Sequence, residues 1–150
     1  MNRSNNPKKF LSDEEQHRIF AKIAAAEKLT SAEIKLVIIR HCRKDIRKKA
    51  HKVFKKYKLD QTDQRNCVLI LLVTADRQFL IYGDQGIHQK VGPQFWFDVE
   101  NHMAAKFKEN KMGEGLCAGI HLIGKKLAYY FPYQRGDRNE ISDDIVFQDI

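Results

Sequence analysis

The sequence predicts an α/β fold, specifically a three-layer α/β/α sandwich with a small mixed sheet and helices on both faces. Two apolar, β-branched runs at residues 33–40 and 66–73 are typical of buried strands. The segment between them is long enough for a crossover helix, so these two strands should lie parallel to each other. A third apolar run at 78–83 follows after only "TADR", and a connection this short predicts an antiparallel hairpin.

The helical segments follow from capping signals and from the spacing of apolar residues. A first helix is expected over residues 13–28, because "SDEE" at 12–15 has the form of a capping box. The crossover helix is expected over 44–58, where an apolar stripe recurs at helical spacing. Pro93 marks the start of a further helix, and a more apolar helix follows it and is stopped by Pro132.

A single domain accounts for most of the chain. The 150 residues suit one core, with 1–11 as a flexible polar arm, 12–132 as the α/β domain and 133–150 as an acidic C-terminal extension. Hydrophobic residues at 43% and charged residues at 31% are ordinary for a soluble globular chain. The N-terminal residues do not resemble a secretion signal, and no apolar run approaches the roughly 20 residues that a membrane helix needs.

The cysteines indicate a reducing compartment. Cys42, Cys67 and Cys117 are odd in number, far apart and set in apolar surroundings. This pattern predicts buried, reduced thiols rather than a disulfide framework, so we expect a cytoplasmic protein. Because no CxxC, HExxH or paired Cys/His spacing is present, a zinc site is not indicated.

Charge is distributed unevenly along the chain, whose formal net charge is +8. Residues 40–58 contain ten Lys or Arg and one acid, whereas residues 137–150 contain five acids and one Arg. The basic helix suggests nucleic acid or an acidic protein as a partner. Its lysines, however, surround the whole exposed face without interleaved aromatic residues, as on any solvated helix. We therefore do not expect nucleic-acid binding, while an unknown protein partner stays open.

Three acids are expected at one end of the sheet. Asp84 closes the third strand within "GDQG", Glu33 opens the first strand, and Glu27 ends the first helix. The hairpin turns Asp84 toward the starts of the first two strands and leaves Asp76 at the opposite end. Glycines permit a wrapped backbone there, and calcium and magnesium bind carboxylate and carbonyl oxygens. The alternative is that Asp84 caps a turn with its own backbone and that Glu27 and Glu33 are ordinary surface acids.

The sequence does not identify catalytic residues. A phosphatase needs an activated nucleophile or a metal-bound water, together with cations that hold phosphate. Neither a P-loop nor a cysteine–arginine loop is present. His88 lies beside the "GDQG" loop and could act there as an acid or base, and the alternative is a solvent-facing loop histidine.

Several stretches, in a fixed order, resemble the TPM domain family, which is known from plant thylakoid lumen and photosystem repair proteins and from many bacterial proteins. The chain is most similar to the short, soluble bacterial branch. It departs from that branch at Ile141 and Ser142, where Leu and Pro would be expected. The matching stretches are "AEKLTSAEIKLVI" (26–38), "RNCVLILLVTADRQFLIYGDQGIHQKV" (65–91), "FW" (95–96), "GLCAGIHLIGKKLAYYFP" (115–132) and "RNEISDDIVF" (138–147).

The resemblance implies an α/β/α sandwich that binds calcium or another divalent cation, and some plant relatives imply acid phosphatase activity. We therefore expect a domain that binds a divalent cation, with calcium ahead of magnesium, through Asp84, Glu33 and Glu27. Its role would be binding or scaffolding. The alternative is a metal-assisted phosphatase that acts at the same loop.

Overall fold

A four-stranded mixed sheet lies at the centre of the fold. The structure is a computed structural model that describes residues 3–134, 136 and 139–148. The strands are β1 (Glu33–Ile39), β2 (Cys67–Val73), β3 (Gln78–Gly83) and β4 (Val146–Phe147), in the order β3-β2-β1-β4. Helices cover both faces, so the predicted α/β/α sandwich is confirmed.

The register of the strands decides which residues share an end of the sheet. β1 and β2 are parallel, with Glu33 opposite Cys67, whereas β2 and β3 are antiparallel, with Val68 opposite Gly83. The starts of β1 and β2 therefore lie beside the end of β3. We call this end, marked by Glu33, Cys67 and Gly83, the amino edge. The predicted hairpin and its geometry are confirmed.

The helices form two layers of unequal size. On one face of the sheet α2, α5 and α6 pack together, while α3 covers the other face. None of the described helices is both long enough and apolar enough to cross a membrane. The short α4 was not predicted. The helices are α1 (Pro7–Phe10), α2 (Asp13–Ala26), α3 (Ile46–Lys56), α4 (Gln85–His88), α5 (Pro93–Lys108) and α6 (Met112–Tyr130).

Local signals in the sequence fix where α2 and α3 begin. The hydroxyl of Ser12 accepts a hydrogen bond from the Glu15 amide at 3.1 Å, and Glu15 Oε1 accepts one from the Ser12 amide at 2.9 Å. This reciprocal pair is the predicted capping box. Asp45 caps α3 by accepting a hydrogen bond from the Arg47 amide at 2.8 Å.

The two faces of the sheet bury alternate residues of the same strand. Ile34 and Leu36 of β1 pack toward α2 and α6, whereas Val37 and Ile39 pack toward α3. All seven residues of β1 and of β2 are buried. β2 is therefore a continuous apolar run in the sequence, whereas β1 is apolar except for Glu33 and Lys35. The central position of β1 and β2 in the sheet accounts for this burial.

The N-terminal segment is packed, which differs from the expected loose polar arm over residues 1–11. Phe10 and Leu11 are fully buried, and α1 precedes them. Arg3 forms an ion pair with Glu15 at 2.7 Å. Two apolar residues in a polar stretch are enough to anchor the segment, although they make no periodic pattern. Residues 1 and 2 of the expected arm lie outside the described residues.

The C-terminal segment also joins the domain, where an acidic extension was expected over 133–150. β4 pairs in parallel with β1, and the Gln148 amide donates to the carbonyl of Ile38. The Lys35 ammonium donates to the carbonyl oxygens of Ser142 at 2.9 Å and Asp144 at 2.7 Å. A two-residue strand is too short to be recognised by periodicity. Residues 135, 137, 138, 149 and 150 of this extension lie outside the described residues.

Candidate cation site

Glu27 and Glu33 meet at the amino edge, where α2 ends and β1 begins. Glu27 is the C-terminal cap of α2, and its Oε2 accepts a hydrogen bond from the Ile34 amide at 2.9 Å. Glu33 is only 2% exposed, and its Oε1 accepts a hydrogen bond from the Glu140 amide at 2.6 Å. The structure thus brings together two of the three acids that the sequence singled out.

The C-terminal segment adds further oxygen atoms to this place. A cavity of about 230 Å³ opens beside the two glutamates. Asp143 and Asn139 line it from the C-terminal segment, and Lys28 lines it from the end of α2. We call Glu27, Glu33, Asn139 and Asp143 the acidic cluster. It contains three carboxylates and one amide carbonyl, which are the hard oxygen donors that calcium and magnesium prefer.

Two carboxyl groups of the acidic cluster, those of Glu27 and Glu33, have raised pKa values. Burial raises the pKa of Glu27 from 4.5 to about 11, and hydrogen bonding to Asp143 and the nearby charge of Glu33 add to the effect. Burial also raises the pKa of Glu33. A proton on Glu27 that is shared with its neighbours explains why both carboxyl groups tolerate this crowding.

Lys35, a buried cation of β1 near this cluster, binds the backbone of the C-terminal segment. Its ammonium donates to two backbone carbonyls of the C-terminal segment, those of Ser142 and Asp144. Burial lowers the pKa of Lys35, while the charges of Asp144 and other acids oppose that shift. Lys35 therefore fastens the segment that carries Asp143, because its described hydrogen bonds go to the backbone rather than to the carboxylates.

Asp84 lies at the amino edge as predicted, but it is held by Arg65. Two bonds join the guanidinium to the carboxylate, Nε to Oδ2 at 2.6 Å and Nη2 to Oδ1 at 2.8 Å. Asp84 is 5% exposed and also caps α4 by accepting from the Gln85 amide at 2.8 Å. The structure therefore shows the backbone cap that was the alternative to a metal ligand, and it adds an ion pair.

The glycines of "GDQG" allow close packing at the same loop. A Cβ added to Gly83 would lie 2.8 Å from Cζ2 of Trp96 and still closer to Cη2. A Cβ added to Gly86 would lie 2.6 Å from the carbonyl oxygen of Arg65, to which the Gly86 amide donates at 2.9 Å. Both glycines are explained by these contacts, since any side chain there would collide with neighbouring atoms.

The other residues considered for the site lie apart from the acidic cluster. His88 is exposed, and its ring centroid is 5.2 Å from that of Trp96. Asp76 lies in the turn between β2 and β3, at the opposite end of the sheet as expected, where its Oδ2 accepts from the Cys42 amide at 3.3 Å. Neither side chain is positioned with Glu27 or Glu33.

All three cysteines are free, but their burial differs from the expected uniform burial. Cys67 is fully buried in β2, and burial raises its pKa well above the ordinary value. Cys42 and Cys117 are half-buried. Burial is also the main cause of the raised pKa of Cys117. The apolar residues that flank Cys42 and Cys117 in the sequence therefore led to a prediction of greater burial than the structure shows.

The side chain of the buried Asn66, next to Glu33 across the sheet, has no hydrogen-bond partner among the described residues. Asn66 is 1% exposed, and neither its side-chain oxygen nor its side-chain nitrogen has a hydrogen-bond partner in the described part of the chain. Its backbone carbonyl accepts from the Glu33 amide at 3.3 Å. Within residues 3–134, 136 and 139–148, no group of three or more His, Cys, Asp or Glu side chains has the arrangement of a metal site. A cation bound by the acidic cluster would need backbone, amide or water ligands as well.

Three residues around the candidate site escaped the sequence analysis. Asp143 and Asn139 are more than 100 positions from Glu33, and no local pattern connects them. Arg65 is 19 positions from Asp84, its ion-pair partner. Lys35 was the available signal, because a lysine inside an otherwise apolar strand requires polar partners that come from elsewhere in the chain.

Comparison with known proteins places the fold in a family. The model of the TPM domain matches residues 4–126. The BA42 protein of the psychrophilic bacterium Bizionia argentinensis, solved by NMR, is 36% identical, with a TM-score of 0.90 over 93% of this chain and 97% of that one. The N-terminal domain of a P. gingivalis protein, 15% identical, shares the fold with a TM-score of 0.67 over 83% of this chain and 82% of that one. No curated protein is significantly similar to the chain. This chain belongs to the TPM domain family.

Proposed function

We propose that this TPM domain binds one divalent cation, calcium in the first place, through Glu27, Glu33 and Asp143, and that it has a binding or scaffolding role. The observation that carries the proposal is the meeting of the buried Glu33 and the half-buried Glu27 with Asp143 beside one cavity. We also propose a cytoplasmic location, which the three free cysteines support.

The electrostatics of the acidic cluster favour a cation. Burial raises the pKa of Glu27 to about 11 and also raises the pKa of Glu33, so Glu27 is neutral at pH 7 when no cation is present. A divalent ion would lower both pKa values, release the shared proton and take up the carboxylate oxygens. Calcium binding should therefore be tighter at pH 8 than at pH 6.

The ligand set favours calcium over magnesium. Calcium accepts six to eight oxygens in flexible geometry, whereas magnesium requires a near-ideal octahedron. Asn139, backbone carbonyls and water can complete an irregular set around the three carboxylates. In the proposal Asp84 keeps a structural role with Arg65, and its role as a ligand is tested directly below.

Isothermal titration calorimetry of the full chain with calcium tests the proposal. We expect one ion per chain, with a modest dissociation constant of roughly 10⁻⁵–10⁻³ M. Glu33→Gln should abolish calcium binding because it removes one carboxylate charge. The oxygen of the new amide can still accept the hydrogen bond from the Glu140 amide, so the local structure should be kept. Glu14→Gln, an exposed residue in the first turn of α2, is the matched control and should bind as the unaltered protein does.

Asp84→Asn separates the two possible positions of the ion. If the acidic cluster binds calcium, this variant should retain binding once circular dichroism shows that it is folded. Loss of binding in folded Asp84→Asn, with retention in Glu33→Gln, would move the ion to the "GDQG" loop. If the unaltered protein shows no heat of calcium binding at pH 6 or at pH 8, the proposal is refuted.

A metal-assisted phosphatase at the same site is the second candidate. It is favoured by Lys28, which lines the cavity beside the carboxylates and supplies a positive charge toward a phosphate group. Hydrolysis of a chromogenic phosphate ester that requires added metal and is lost in both Glu33→Gln and Lys28→Gln would support the enzyme. Binding of calcium without turnover supports the binding role.

A further inference from the structure

A second cavity lies at the other end of the sheet from the acidic cluster. Its volume is about 580 Å³, within the range of roughly 300–1,000 Å³ for small-molecule sites. It opens beside Leu72 and Val73, at the carboxyl end of β2. Ligands of open α/β sheets bind most often outside the carboxyl ends of the strands. The position and size of this cavity, which we call the carboxyl-end cavity, therefore suit a small ligand.

Aromatic rings give the carboxyl-end cavity an apolar wall. Phe79 of β3 and Phe107 of α5 meet edge to face with ring centroids 4.9 Å apart, and both rings are half-buried. Phe10 and Met112 are buried and complete this wall. The uncovered parts of the two half-buried rings would gain free energy from contact with an apolar ligand body.

Two cations at the rim form no ion pair with the acids that the structure describes. The Arg77 guanidinium lies 5.0 Å from the ring centroid of Phe10 and donates to the carbonyl of Arg3 at 3.3 Å. Neither Arg77 nor Lys108 takes part in an ion pair with any described acid. Arg3 differs, because Glu15 neutralises it at 2.7 Å. The rim therefore has a positive charge that an anionic group would complement.

The N-terminal segment forms one wall of the carboxyl-end cavity, and hydrogen bonds hold this wall in place. The Thr74 hydroxyl, at the end of β2, donates to the carbonyl of Asn5. Arg3 donates to the carbonyl of Phe10 at 3.0 Å as well as to Glu15. A wall held by these contacts needs little reordering when a ligand enters, which lowers the entropy lost on binding.

We propose that the carboxyl-end cavity binds a small amphipathic organic anion. The apolar body of this ligand lies against Phe79 and Phe107, and its carboxylate pairs with Arg77 and Lys108. Arginine suits this task because its planar donors match a carboxylate in a two-point contact. The site is independent of the acidic cluster, since it uses different residues at the opposite end of the sheet.

Titration of the full chain with octanoate, followed by amide and methyl NMR shifts in excess EDTA, tests this inference. We expect saturable binding with the largest changes at Phe79, Phe107 and the Met112 methyl group. The uncharged analogue 1-octanol should bind roughly tenfold or more weakly, because hydrogen bonds to charged groups are the stronger ones.

Variants separate the charge from the apolar wall. Arg77→Gln should weaken octanoate by roughly tenfold and leave 1-octanol unchanged. Arg47→Gln removes the same charge from an exposed residue of α3 that does not line the cavity; this matched control should change neither affinity. Equal affinity for octanoate and 1-octanol, or octanoate binding that Arg77→Gln does not weaken, would overturn the proposal. Absence of any saturable shift would do the same.

Discussion

Replacing Glu27 by glutamine should stabilise the protein without calcium and remove its stabilisation by calcium. The substitution replaces a carboxyl group that must take up a proton on folding by an amide that is neutral at every pH. It also keeps an oxygen that can accept the hydrogen bond from the Ile34 amide, which is 2.9 Å from Oε2. The new amide can donate to Asp143, as the protonated carboxyl group does. Packing around residue 27 therefore changes little, so a change in the free energy of unfolding reports the ionisation of Glu27.

The direction of the pKa shift of Glu27 decides whether Glu27→Gln stabilises or destabilises the protein. The pKa of Glu27 is raised from 4.5 to about 11, chiefly by burial. The stability that this group contributes is complete below its unfolded-state pKa and is lost as the pH rises toward the folded-state value. At pH 7.5 the full shift would correspond to at most about 4 kcal/mol, at roughly 1.4 kcal/mol for each pH unit. Glu27 is only half-buried and shares its proton with the acidic cluster, so solvent screening reduces this to about 1–2 kcal/mol.

Urea unfolding between pH 5 and pH 9, with EDTA or with excess calcium, measures this effect. In EDTA the advantage of Glu27→Gln should grow with pH, whereas calcium should stabilise only the unaltered protein, by about 2.7 kcal/mol at one hundred times its dissociation constant. Glu14→Gln should follow the unaltered protein throughout. If Glu27→Gln is no more stable than the unaltered protein at pH 8 in EDTA, the electrostatic reasoning is wrong.

Three further predictions concern the loop at the amino edge and the thiols. Gly86→Ala should lower the free energy of unfolding by about 2 kcal/mol or more, because the new methyl group meets backbone atoms, while Gly92→Ala, where a Cβ has open space, should change it little in the same urea assay. Arg65→Gln should lower it by about 1–3 kcal/mol, because it leaves the buried carboxylate of Asp84 without its partner, and an unchanged unfolding midpoint would contradict this. Cys67 should be the slowest thiol to react with an aromatic disulfide reagent at pH 8, since burial raises its pKa, and early labelling of this residue in a peptide map would contradict its central position.

Much of the fold was predictable because its signals are local. β1 and β2 are buried on both faces, so every residue is apolar except Glu33 and Lys35, and the short connection to β3 allows only a hairpin. The capping box at Ser12 marked the start of α2 within one turn. Each of these features is visible in a window of a few residues.

The acidic cluster was only half predictable, because its other half comes from a distant part of the chain. Glu27 and Glu33 flank one turn, so their proximity followed from the boundary between α2 and β1. Asp143 arrives through the pairing of β4 with β1 and through the hydrogen bonds of Lys35, which link positions 107 and 109 residues apart. Arg65, the partner of Asp84, lies in a loop without regular structure, and nothing near it in the sequence indicates an ion pair.

A calcium titration followed by backbone amide NMR tests the central claim most directly. If the acidic cluster binds the ion, the largest shifts should occur at the amides of Ile34 and Glu140, which donate to Glu27 at 2.9 Å and to Glu33 at 2.6 Å. Asp143 should follow, and residues 84–88 should change little. Shifts confined to residues 84–88, or no saturable shift at pH 8, would contradict the account.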